Sequence, residues 1–119
     1  MKSLHRTKAI AAYEGAREVL KKEMAYPTYV LLKEAVRGTL AYIVEDTENY
    51  DISEKTKLHK LIYLVRETIV SESDKEKLSL LVEAEREGLG AITSMEIEKL
   101  AEIKVITKKL IGTHLYYRS

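Results

Sequence analysis

The sequence predicts an all-α fold, an antiparallel bundle of about five helices, and three observations predict it. Apolar residues recur at three- and four-residue steps through most of the chain. No stretch alternates apolar and polar residues with the turn chemistry of hairpins, so no sheet is expected. The segment 27–45 (PTYVLLKEAVRGTLAYIVE) is apolar around more than half its circumference. A helix of that kind is packed on several sides and belongs at the centre of a bundle. With 119 residues, the chain is expected to form one domain, residues 1–119.

The first helix is predicted to begin between Ser3 and Thr7 and to run to about Met24. Ile10, Tyr13, Arg17, Leu20 and Met24 form its stripe, edged by Ala9, Ala12 and Ala16. Gly15 lies mid-helix, where glycine costs roughly 1 kcal/mol against alanine. Ala25-Tyr26-Pro27 breaks this helix and starts the second, with Pro27 suited to the first helical position because it lacks an N–H. The second helix carries Tyr29, Leu32, Val36, Leu40 and Ile43 on one stripe, and Leu31, Ala35, Thr39 and Tyr42 on the next. Gly38 is the counterpart of Gly15. The pair reads either as a close helix crossing or as two tolerated glycines.

Residues 46–52 (DTENYDI) are polar and turn-like. Ser53 is a good N-cap for a third helix with Leu58, Leu61, Ile62, Val65 and Ile69 on its face. Ser73-Asp74-Lys75-Glu76 reads as a capping box for a fourth helix, which points Leu78, Leu81 and Val82 inward and ends at Gly88-Leu89-Gly90. The short link between the third and fourth helices predicts antiparallel neighbours. Thr93 with Glu96 opens a fifth helix carrying Ile97, Leu100, Ile103, Ile106 and Leu110 to about Gly112. Two aromatics in the tail THLYYRS are placed to pack on the bundle or on a second subunit.

Composition narrows the function classes. Twenty basic residues balance 19 acidic ones, a formal net charge of +1, which argues against non-specific binding to nucleic acid or membrane. The absence of cysteine excludes disulfides, thiolate metal sites and Cys nucleophiles. No glutamine and one asparagine, beside 16 glutamates and 14 lysines, is the composition of a heat-adapted protein. No run of about 18 apolar residues and no signal-peptide pattern is present, so a cytoplasmic location is expected.

The histidines His5, His59 and His114 lie on different elements, without the paired Glu-x-x-His motifs of a metal site in a bundle. No metal and no cofactor is expected. Glu45-x-x-Glu48 has no matching pair downstream, and phosphate-loop, nucleophile-elbow and zincin motifs are absent. Arg37 sits beside the densest apolar stretch and is the charge expected to be buried. Its burial serves either a structural pairing or the recognition of an anion by the guanidinium fork.

Tyr29 and Ala35 on the central helix, the polar loop, Lys55-x-x-x-His59, and then Leu61 and Leu64 form a layout that resembles the HEPN (higher eukaryotes and prokaryotes nucleotide-binding) family. The resemblance implies a bundle of four or five helices that commonly dimerises. It also implies a metal-independent ribonuclease in members that carry an Arg followed, after four to six residues, by a His. Here no His has an Arg at that distance. The nearest match places Lys108 and Lys109 before His114, and lysine lacks the planar fork that grips a phosphate with two bonds. The resemblance therefore implies a non-catalytic interaction domain, a homodimer or the partner of a nucleotidyltransferase. A metal-independent ribonuclease or a nucleotide-binding domain is the alternative, with nucleotide or RNA as ligand. The candidate binding residues are Arg37, His59, Lys109 and His114.

Overall fold

The computed structural model describes residues 2–49 and 51–116. Tyr50 of the predicted loop and Tyr117 of the tail lie outside them. The elements are α1 (Lys2–Lys21), α2 (Ala25–Glu48), α3 (Leu58–Leu64), α4 (Glu72–Glu87), α5 (Leu89–Thr93) and α6 (Ile97–Leu110), followed by a π-helical turn (Ile111–Tyr116). All the regular structure among the described residues is helical.

Helix α2 is the centre of the bundle, as its apolar girth predicts. It touches every other helical element. From Gly38 to Glu45 eight consecutive residues are buried, so for more than two turns no face meets water. Leu32, Val36, Leu40 and Ile43 anchor the main core with Leu61, Leu78, Leu81, Leu100 and Ile103 from α3, α4 and α6. Each such side chain contributes roughly 1.5–3 kcal/mol by leaving water. Tyr29 reaches across to α4, where its hydroxyl donates to the Leu81 carbonyl at 2.7 Å. The buried hydroxyls of Thr28, Thr39 and Thr107 donate to carbonyls four residues back, so they cost the core no unmet donor.

The helix ends differ from the sequence expectation in ways with local causes. Helix α2 starts at Ala25, which puts Pro27 at the third helical position rather than the first. The missing N–H is tolerated there too, because no N–H of the first turn has an intrahelical acceptor. The helix also runs past Glu45 to Glu48 and closes on Asn49, the only asparagine, in the left-handed conformation (φ 57°), with its N–H on the Glu45 carbonyl at 3.0 Å. Ser53 does not cap a helix; it closes a turn by accepting from the Lys55 N–H at 3.0 Å. Helix α3 is consequently only seven residues long. It stops at Val65, whose backbone is extended (φ −71°, ψ 133°) while its N–H closes the last turn on the Leu61 carbonyl.

The cap of α4 is Ser71, not Ser73: its hydroxyl accepts from the Asp74 N–H at 3.2 Å. Gly88, at φ 105°, ends α4 in a conformation closed to other residues, but Leu89 and Gly90 then belong to the short helix α5. Helix α6 is capped by Glu96 rather than opened at Thr93, and Gly112 lies within the π-helical turn instead of ending a helix. Its predicted face is correct: Leu100, Ile103, Ile106 and Leu110 are buried.

The buried line of α1 is His5, Ala9, Tyr13 and Ala16, not the larger stripe through Arg17, Leu20 and Met24. The small residues form the centre of the contact because α1 lies close against α2. Gly15 and Gly38 both lie in this seam but do not face one another. A side-chain carbon on Gly38 would lie 3.0 Å from both the His5 carbonyl and the Ala9 Cβ, whereas one on Gly15 would meet only the flexible end of Leu31 at 3.1 Å. The tightest point is therefore Gly38 against backbone.

These contacts separate the two glycines energetically. Alanine gains about 1 kcal/mol in helix propensity at either site. Overpacking against backbone costs about 1–3 kcal/mol. Gly38→Ala is expected to lower unfolding stability by up to about 2 kcal/mol, and Gly15→Ala to leave it unchanged or slightly raised, as read by urea denaturation. Equal effects of the two substitutions would contradict this packing.

Candidate functional site

Arg37 and His59 are brought together by the loop between α2 and α3. This loop is held from inside by Glu45. The Oε1 atom of Glu45 accepts from the Ile52 N–H at 2.9 Å and lies 3.0 Å from His5 Nε2, which is itself 2.9 Å from the Ile52 carbonyl. A carbonyl only accepts, so Nε2 carries a proton and donates. His5 and Glu45 are 1% and 7% exposed. They are buried in the core, and Arg37 is not. Sequence spacing could not pair them, since they are 40 residues apart and meet only because α1 and α2 are antiparallel.

Once Ile52 is pinned, residues 53–57 turn over the outer face of α2. Arg37 is half-buried there. It donates from Nε to the Thr56 carbonyl at 2.9 Å and from Nη2 to the Ser53 carbonyl at 2.7 Å. The structural reading of Arg37 is thus correct in part, but its partners are backbone carbonyls rather than a carboxylate. Two of its five N–H donors are used there, and the side chain borders a cleft.

That cleft, of about 230 Å³, is lined by Lys33, Arg37, Lys55, Thr56, Lys57 and His59 with Glu34, Glu54 and Glu85, and by the apolar Leu58 and Val82. Lys33 is ion-paired with Glu85. Burial pushes its ammonium below the ordinary lysine value, against the pull of Glu34 and helped by the like charge of Lys57. Glu54 is turned outward to Lys8, whose hydrogen bond and charge hold its carboxyl below the usual carboxylate range. The cleft thus offers a guanidinium fork, two close lysines and an imidazole to one small volume, an arrangement suited to an anion with several oxygens. Sequence reasoning missed Lys33 and Lys57. Lys33 lies one helical turn before Arg37 and so shares its face, a signal the sequence held.

Lys109 and His114 are not part of this cleft. Lys109 is exposed on α6, where Val105, Lys108, Lys109, Gly112 and Thr113 line a shallow groove. His114 is half-buried in the π-helical turn and does not line that groove. Among the described residues no group of three His, Asp or Glu side chains could hold a metal ion, and no helix is long and apolar enough to cross a membrane. Comparison with family models, curated proteins and solved structures finds no match to the chain.

One oxygen of Glu45 serves both donors, and substitutions that keep or remove that oxygen should diverge. Glu45→Gln retains an acceptor and is expected to cost about 1 kcal/mol. Glu45→Leu strands the Ile52 N–H, while His5 keeps the Ile52 carbonyl, and is expected to cost about 2–3 kcal/mol. Chemical denaturation of the two variants checks this; equal losses would remove the carboxylate oxygen from its role.

Proposed function

We propose that this chain is a non-catalytic, HEPN-like helical binding domain that recognises a phosphate-bearing anion, a nucleotide in the first place, in the Arg37–His59 cleft. The observation that supports it is the gathering of Lys33, Arg37, Lys57 and His59 around one volume of about 230 Å³. The guanidinium is pre-oriented by the loop carbonyls, so it loses little freedom on meeting a phosphate. An anion between Lys33 and Lys57 also relieves their mutual repulsion. Glu34, Glu54 and Glu85 line the same cleft and limit the affinity.

The test is thermal unfolding with millimolar ATP, pyrophosphate and inorganic phosphate. A ligand at 100 times its Kd stabilises by about 2.7 kcal/mol. For a chain of this size that raises the Tm by roughly 8–16 °C. The expected result is a rise of this kind with ATP or pyrophosphate, abolished in Lys33→Ala/Lys57→Ala, whose unliganded Tm stays within a few degrees of the parent. No shift with any of the three removes the anion reading. RNA cleavage without metal that is lost on His114→Ala would replace it with a nuclease.

The same reading includes a homodimer and adaptation to heat. The apolar surface left on the C-terminal elements supports the first, with Val105 63% and Tyr116 51% exposed. The amide-poor, Glu- and Lys-rich composition supports the second. Sedimentation at micromolar concentration is expected to show a dimer that Val105→Glu dissociates. A strict monomer would count against self-association.

A further inference from the structure

We infer that the outer face of α4 is a docking groove for a cationic amphipathic helix from a separate partner chain. The inference rests on the interaction-domain reading but not on the anion cleft. Two depressions run along α4. One, of about 520 Å³, lies between α3 and α4 over Ile62 and Leu80; the other, of about 200 Å³, lies between α4 and the α5–α6 segment over Leu80, Ala84 and Met95. Leu80 and Glu83 of α4 line both, so the trough they make is divided at those two side chains and follows α4. From Glu72 to Glu87 its length is roughly 22 Å, matching a helix of about 15 residues.

The charge on this trough differs from that of the chain as a whole. Glu67, Glu72, Glu76, Glu83, Glu87 and Glu96 border it, against Lys75, Lys99 and His59. Among the described residues none of these six glutamates is ion-paired, whereas Glu14, Glu18, Glu45, Glu48, Glu54 and Glu85 all have basic partners. Among the described residues ten glutamates have no ion-pair partner, and six of them share this apolar-floored surface, with Glu23, Glu34, Glu98 and Glu102 elsewhere. At its rim Tyr63 is 84% exposed, an aromatic of the kind that anchors interfaces. An apolar floor between acidic walls complements a helix with an apolar stripe flanked by lysine or arginine. Nucleic acid would face the same six carboxylates and be repelled.

The experiment is a fluorescence-anisotropy titration of the full chain with a labelled, helical Leu/Lys peptide of about 15 residues. The comparison peptide has the same composition scrambled to destroy the apolar stripe. Binding of the amphipathic peptide at least tenfold tighter than the scrambled one is expected, weakening as salt is raised toward 0.5 M. Glu76→Lys/Glu83→Lys should weaken it more than tenfold, while Glu98→Lys/Glu102→Lys, the same charge change on α6, should not; a Tm near the parent's verifies that each variant is folded. Failure to bind, equal binding of the scrambled peptide, or retained binding by Glu76→Lys/Glu83→Lys would overturn the proposal. So would dissociation of a homodimer by that variant, since it would give the groove to a second copy of the chain. Because this titration contains no phosphate ligand, its failure leaves the anion cleft standing, and a missing nucleotide shift leaves the groove standing.

Discussion

The Oε1 atom of Glu45, inside the protein near the end of α2, holds together the parts on which the rest of the structure depends. It receives the Ile52 N–H and lies within hydrogen-bond distance of His5 Nε2. The first bond returns the chain to α2 after Asn49; the second fixes the start of α1 against the same point. Both groups are far from water, where an unmatched donor or carboxylate is expensive, so the arrangement is kept complete or lost as a unit. Gly38, two turns earlier, lets α1 approach closely enough for His5 to reach.

The cleft follows from this arrangement. With Ile52 buried and held, residues 53–57 cross the outer face of α2, and Arg37 meets their carbonyls. The same turn carries Lys57 and His59 to Lys33. Basic side chains are thereby gathered in one cleft on a chain whose overall charge is close to zero. His59 borders both this cleft and the acidic trough along α4, so the short helix α3 separates two surfaces of opposite character.

What was legible in the sequence were features that depend on one helix at a time. The centrality of α2 was readable because burial on all sides demands apolar residues on all sides. The inner face of α6 was readable because its stripe is long and regular. The α1 face was misread because side-chain size was taken as the guide, whereas a close helix contact selects the small residues Ala9 and Ala16. The length of α3 was misread because Ser53 has the chemistry of a cap in either setting. The Lys55 N–H on its hydroxyl and the Thr56 N–H on its carbonyl make it a turn, which Arg37 then holds. Of the candidate site, Arg37 and His59 were legible individually, and their proximity was not.

The sequence by itself determined an all-helical chain, its central helix, the positions of most core residues and the chemical inventory available for a site. These follow from local periodicity and composition, which act through neighbours along one helix. Tertiary structure alone decided that His5 and Glu45 pair, that Arg37 serves a loop rather than a carboxylate, that Lys33 and Lys57 join it, and that Lys109 and His114 stand apart. The physical reason is distance along the chain: groups tens of residues apart interact only after helices pack, and that packing turns on the Gly38 contact, one of two readings the sequence offered, and on a buried carboxylate oxygen that no spacing rule reveals.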